Sequence, residues 1–401
     1  MTNEASTTGD EIAVTPRQET IELLEKLIGF DTTSSKPNIE MIDFIRDHLQ
    51  SIGASCITTP SSDGRKANLL ATIGPLNKPG IMLSGHSDVV PVEGQQWHSN
   101  PFILTENNGR YYGRGSCDMK GFLAVVIEAA EKFANARLTE PLHIAITYDE
   151  EIGCLGVPHL IDAMRSMSIK PRLAIVGEPT DMRVAIGHKG ARAYRACFTG
   201  RESHSSLAPL TVNAIENAAD FVTRLTAMGR RFANQGPFDE DYDVAYTTVN
   251  TGVFHGGTQV NIVPSHCEVE FEYRALPQQD NDAPEKLIRQ WLDNDISPSM
   301  KSVDEQCGVE LERRYAYPGL DTDPHAEVTQ LATELSEASQ PIKIAFGTEA
   351  GCYHQYLDCP SVVCGPGSIR QAHRADEYVS ELQLAKCEQF VERLRHKMSE
   401  S

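Results

Sequence analysis

The chain has 401 residues, enough for two domains or for one large domain with an insertion. Its 56 acidic against 36 basic residues leave a formal charge of −20, which disfavours nucleic-acid and anionic-membrane surfaces and favours attraction of cations. No apolar run approaches membrane-spanning length and residues 1–16 lack the regions of a signal peptide, so a disordered tail and a cytoplasmic protein are expected.

Helical periodicity opens the fold at 16–29 and 39–52. Strand-like runs follow at 67–74, 81–86, 142–151 and 172–179, with helical patterns at 119–135 and 156–167 between the later ones. Strands separated by helices imply an α/β fold with a mainly parallel sheet, helices on both faces, and ligands at the carboxyl edge of the strands. From about residue 189 the pattern changes to alternating, half-buried strands at 191–200, 245–257, 266–276 and 308–317, interrupted by helical patterns at 213–228 and 283–294. That β-α-β-β-α-β order describes a small antiparallel sheet with two helices on one face. After Pro318 come a helix at 324–338, strands at 342–346 and 360–364 and a closing helix at 380–398. The expected organisation is one α/β domain, 17–188 with 319–401, interrupted by an α+β module at 189–318. The ten cysteines are scattered without a Cys-x-x-Cys pair, which predicts reduced, mostly buried thiols.

The apolar run ending in Leu83-Ser84-Gly85-His86-Ser87-Asp88 presents an imidazole and a carboxylate two residues apart, positions that share one face of an extended segment. The pairing suits a metal ligand oriented by an acid, and equally a surface histidine beside a solvated Asp88. Gly113 to Gly121 is a glycine-rich turn into an apolar helix, without the spacing of a dinucleotide or phosphate loop, which leaves Asp118 as a ligand or as a helix-start acid. Asp149, Glu150 and Glu151 close an apolar strand, where three adjacent acids repel one another unless cations or solvent compensate. In a metal site one of the neighbouring carboxylates would bind the ion and the other remain free as a base. Glu178 repeats the pattern before Pro179, and His373 lies in the loop 365–377. Two histidines and three carboxylates suffice for two cations sharing one bridging carboxylate, with open positions for water. Oxygen-rich mixed coordination suits Zn²⁺, Co²⁺ or Mn²⁺. A serine nucleophile at Ser87 is the competing chemistry, but Val89 stands where a nucleophile elbow needs glycine.

Taken together, the His86, Asp118, Glu150-Glu151, Glu178 and His373 stretches resemble, in order and over nearly the whole chain, the M20 family of metallopeptidases and deacylases. The resemblance implies an amide hydrolase with two zinc ions, cobalt being a possible substitute. One ion would be held by His86, Asp118 and Glu178 and the other by Asp118, Glu151 and His373, with Asp88 orienting His86 and Glu150 as general base. It further implies that the inserted module is a lid and dimerisation domain, so that the protein is a homodimer. His204, in Glu202-Ser203-His204-Ser205-Ser206, would then reach an active site to stabilise an oxyanion, and Asn261 and Arg274 would clamp the substrate. Arg274 suits a carboxylate because its planar fork binds one bidentately.

The run Phe346-Gly347-Thr348-Glu349-Ala350-Gly351 and the 363–378 stretch are similar to the acetylornithine deacetylases of that family, except for Gly347, where those enzymes are expected to carry cysteine. This implies removal of acetyl from N2-acetyl-L-ornithine in arginine biosynthesis, with Glu349 pairing with the substrate's side-chain ammonium. A broader N-acyl-amino-acid deacylase or dipeptidase of the same family, or an inactive metal-binding relative, is the alternative.

Overall fold

The computed structural model describes residues 15–399. Of the tail expected at 1–16, all but Thr15 and the buried Pro16 lie outside the described residues. In chain order the principal strands are β1 (Ser55–Pro60), β2 (Ala67–Ile73), β3 (Ile81–His86), β4 (Leu142–Thr147), β5 (Leu173–Pro179), β6 (Ala185–His188), β7 (Gly190–Thr199), β8 (Thr248–Gly256), β9 (His266–Ala275), β10 (Gly308–Tyr317), β11 (Leu320–Asp321), β12 (Ile342–Ile344) and β13 (Ser361–Gly365). The principal helices are α1 (Gln18–Ile28), α2 (Ile39–Ser51), α3 (Lys120–Ala134), α4 (Val157–Ser166), α5 (Ala214–Gln235), α6 (Ala283–Trp291), α7 (Glu327–Ser336), α8 (Ala350–Tyr356) and α9 (Glu381–Met398).

Nine strands form one sheet in the order β1-β2-β4-β3-β5-β13-β6-β11, with β12 beside β6. Its centre, β4-β3-β5-β13, is parallel, and β1, β2 and β11 join antiparallel. The central strands are buried along their whole length and mostly apolar because helices cover both faces. Successive side chains therefore feed opposite cores. Leu69, Leu83, Ile144, Ile146 and Ile175 pack with Leu24 of α1, Ile45 of α2, Phe122 of α3 and Phe390 of α9. Leu70, Met82, Ala145, Ala174 and Val176 pack with Leu160 of α4 and Tyr353 of α8 on the other side.

Two glycines set how closely α3 approaches this sheet. A Cβ at Gly177 would stand 2.1 Å from the Phe122 ring, and one at Gly85 would stand 2.6 Å from the Met119 methyl. Only hydrogen at these positions lets α3 lie directly on β3 and β5, so the turn before α3 reaches the ends of both strands.

The inserted module is a four-stranded antiparallel sheet, β8-β9-β7-β10, with α5 and α6 on one face. Phe198, Phe271 and Tyr194 meet Phe221 and Leu225 of α5 and Ile288 of α6 there. The alternation in β9 leaves Glu268, Glu270 and Glu272 on the open face. This matches the β-α-β-β-α-β reading, with α5 running to Gln235, beyond the expected 228. The sequence reading passed over β1, β6, β11 and α8, which are short or lie at an edge of the sheet. All ten cysteines are free, and only Cys56 and Cys197 are partly exposed. Among the described residues no helix is long and apolar enough to cross a membrane.

Candidate metal centre

Parallel neighbours end on the same side, so β4, β3 and β5 bring their acidic carboxyl ends together. β3 ends at His86, β5 carries Glu178, and the chain leaving β4 turns through Glu150 and Glu151. Asp118 comes from the turn before α3, and His373 from the loop between β13 and α9.

His86 Nε2 lies 3.1 Å from Asp118 Oδ1 and 3.6 Å from Glu178 Oε1. His373 Nε2 lies 3.3 Å from Asp118 Oδ2 and 3.0 Å from Glu151 Oε2. Asp118 thus turns one oxygen to each imidazole. It does not cap α3, whose N-cap position is Met119 and lacks a side-chain cap. Ligand atoms of His86, Glu150 and Glu178, and likewise of His86, Asp118 and Glu151, lie within 4.8 Å of one another. His86, Asp118 and Glu178 are buried, Glu150 and Glu151 half-buried, and His373 forms the exposed rim.

Asp88 acts differently from the simple orienting carboxylate expected of it. His86 Nδ1 lies 2.8 Å from the Asp88 main-chain carbonyl, against 3.6 Å from its carboxylate. The carboxylate instead accepts from the Glu150 amide at 3.1 Å, the Glu151 amide at 3.3 Å and Ser34 Oγ at 2.8 Å. Asp88 therefore holds the histidine by its backbone and the tandem acids by its side chain. Asp149, the first of the three acids, is taken up by Lys66.

The charge balance fits cations. Burial opposes a charge on the His86 imidazole, yet Glu178, Asp118 and Asp88 around it raise its pKa well above the usual value. Hydrogen bonds to Asp118 and Glu151 push His373 up to about 10. Burial and then the Asp118 charge lift Glu151 to about 7, and the same two causes raise Glu178 well above the carboxylate range. Burial likewise raises Glu150, with Glu151 and Glu349 adding to it against His86. Burial opposes ionisation of Asp118 too, but the two histidines hold its carboxyl below the ordinary range. So many acids in one desolvated place require bound protons or bound cations. Glu151 Oε1 and Glu178 Oε1 are buried without a hydrogen-bond partner, as ligand atoms for an ion would be. Two imidazoles with carboxylates suit a catalytic divalent site better than a closed structural zinc.

Glu349 belongs to the same neighbourhood. It is 1 % exposed, neither carboxylate oxygen makes a well-formed hydrogen bond, and burial, opposed by the nearby Thr147 hydroxyl, lifts it to about 8. Gly347, two residues earlier, lies against Tyr317: a Cβ there would be 2.2 Å from its ring, so the tyrosine fills the space that a larger residue would take.

Arg274 stands apart on β9, its Nε 3.0 Å from Glu272 Oε1, and its charge acts on the buried Tyr317 hydroxyl, which also feels Glu150. His204 and Asn261 lie outside the cluster. Ser203–His204 pairs with Ile262–Val263 in a two-stranded ribbon, Ser205 donates to the Asn261 carbonyl, and both His204 and Asn261 are exposed. The sequence reading gave no role to Ser34 or Glu377. Both act through hydrogen bonds between residues far apart in the chain, which leave no local signature.

The description of peptidase family M20/M25/M40 matches residues 82–397, and the chain belongs to that family of metal-dependent hydrolases. Among curated relatives, the acetylornithine deacetylase of Myxococcus xanthus is 35% identical over 379 residues, covering 92% of this chain and 95% of the relative. That of Pasteurella multocida (strain Pm70) is 34% identical over 370 residues, covering 90% and 93%. Among solved structures, an M20 family metallo-carboxypeptidase from Sulfolobus solfataricus superposes with a TM-score of 0.76 at 18% identity, covering 94% of this chain and 99% of that one. A dinuclear metal-binding M20 peptidase from Bacillus subtilis gives 0.66 at 15% identity, covering 94% and 96%.

Proposed function

We propose that the protein is a dinuclear amide hydrolase that removes the acetyl group from N2-acetyl-L-ornithine, giving L-ornithine and acetate in the cytoplasmic synthesis of arginine. The observation that carries the metal reading is Asp118, whose two oxygens face two separate imidazoles. The substrate assignment is supported by the curated relatives named for that activity. His86, Asp118 and Glu178 would hold one zinc ion and Asp118, Glu151 and His373 the other, with cobalt able to replace zinc. Bound there, the ions supply Lewis acidity toward the amide carbonyl and a lowered pKa for water.

Glu150 is the general base. Its backbone is fixed by the Asp88 carboxylate, and burial raises its own carboxyl well above the usual carboxylate range, which makes it a stronger proton acceptor than an exposed glutamate. The proton passes from water to Glu150 and then to the leaving amine, as the carbonyl carbon gains an oxygen and the C–N bond breaks. Arg274 takes the substrate α-carboxylate, Asn261 helps to clamp the substrate, and Glu349 takes the side-chain ammonium. That cation would relieve the desolvation of an otherwise unpartnered carboxylate. His204 is exposed on the inserted module, and we assign it to the active site of a second copy in a homodimer, where it stabilises the oxyanion.

Steady-state hydrolysis of N2-acetyl-L-ornithine, N-acetyl-L-methionine and succinyl-diaminopimelate by zinc-loaded protein tests the proposal. A preference for acetylornithine supports it. Preference for another amide would keep the hydrolase and discard the substrate, and no turnover of any of them would discard the enzyme.

A further inference from the structure

Asp118 and His373 arrive on two loops that are far apart in the chain, and the Glu377 carboxylate makes four of the hydrogen bonds that join them. Glu377 is 1 % exposed. Its Oε1 accepts from the Cys117 amide at 2.9 Å and the Asp118 amide at 2.9 Å. Its Oε2 accepts from the Gly115 amide at 3.1 Å and from Arg114 Nη1 at 2.6 Å. A carboxylate offers about four lone-pair sites, so these donors fill it and leave nothing for a metal.

The same contact holds the His373 loop in place. Arg114 Nη1 also donates to the Arg374 carbonyl at 3.2 Å, and Gln95 Nε2 donates to the His373 carbonyl at 3.1 Å. Arg114 Nη2 in turn donates to Gln95 Oε1 at 2.5 Å, and the guanidinium lies over the Trp97 ring at 5.0 Å. His373 has φ 62° and Asp376 φ 56°, in the left-handed region that non-glycine residues adopt only when their surroundings impose it.

Resting on the metal reading above, we propose that Glu377 is a positioning residue for the metal centre: its carboxylate locks the loop bearing His373 onto the loop bearing Asp118. Glutamine cannot replace it. Either orientation of the amide sets an NH₂ group against two N–H donors, because both oxygens of Glu377 are doubly occupied. The lock then opens without any ligand having been changed.

The test is zinc titration of metal-free wild type, Glu377→Gln and Glu388→Gln against a chromogenic chelator, with near-UV circular dichroism confirming the fold. Glu388 is the control, a buried carboxylate remote from the centre that accepts from the Arg17 amide at 3.0 Å and Thr20 Oγ1 at 2.5 Å. Glu377→Gln should weaken at least one of two zinc equivalents by about 10- to 100-fold, the range for residues that hold metal ligands in place. Glu388→Gln should bind zinc as wild type does. If Glu377→Gln does not fold without metal, Glu377→Asp takes its place. It keeps the charge but cannot reach all four donors, so the same loss is expected. Wild-type affinity in the folded Glu377 variant, or equal weakening in Glu388→Gln, overturns the proposal. Failure of the wild type to bind zinc overturns the metal reading itself, and this inference with it.

Discussion

Replacing Gly177 by alanine tests how far the metal site depends on the contact between β5 and α3. The new Cβ would stand 2.1, 2.2 and 2.3 Å from three ring carbons of Phe122, whereas packed carbons sit about 3.5–4.0 Å apart. Ring and methyl must therefore separate by more than about 1 Å beyond the present approach. Phe122 is 1 % exposed within the core, so the strand or the start of the helix has to yield. Overpacking of this kind costs about 1–3 kcal/mol. The displacement falls between Glu178, the next residue in β5, and Asp118, in the turn before α3. A shift of about 1 Å in groups that must act together lowers turnover by roughly 100-fold. Thermal unfolding of the metal-free protein and steady-state hydrolysis should show both losses, and adding Phe122→Leu should recover part of each, the non-additivity expected of touching residues. Wild-type stability and turnover in Gly177→Ala would refute the reasoning.

Three further outcomes are expected. Glu150→Ala should keep its metal content by elemental analysis but lose turnover by about 10²- to 10⁴-fold, the worth of a general base; near-normal turnover would remove Glu150 from that role. Glu349→Gln should raise KM for acetylornithine far more than for acetylmethionine, and equal effects would discard the ammonium contact. Glu349 also predicts a pH dependence, since burial raises its carboxyl from 4.5 to about 8 in the fold. The folded state holds that proton longer than the unfolded chain, so the associated stability is complete below pH 4.5 and is lost as pH rises toward about 8. The slope is up to about 1.4 kcal/mol per pH unit, and in chelator the Tm profile of Glu349→Gln should be flatter over that window; an unchanged slope would contradict the burial argument.

Much of the centre is legible in the sequence because parallel strands end together: polar residues at the carboxyl ends of apolar runs point to His86, Glu150, Glu151 and Glu178. Asp118 could have been a helix cap, and only the geometry shows its two oxygens facing two imidazoles. The part played by Asp88 was hidden because its carboxylate binds the backbone amides of Glu150 and Glu151, and amides carry no sequence signature. Glu377 escaped notice for the same reason. In the fold, β6 and α8 went unseen because a strand of four residues and a helix of seven are too short for periodicity to declare itself. The long β7 to β10 alternation declared itself fully.

The most direct test of the central claim is metal content set against turnover. Protein stripped by chelator and titrated with zinc should regain acetylornithine hydrolysis as it takes up two equivalents per chain, and Asp118→Asn should fail to hold both and stay inactive. Full turnover in the stripped protein, or two tightly held equivalents in an active Asp118→Asn variant, would contradict the account.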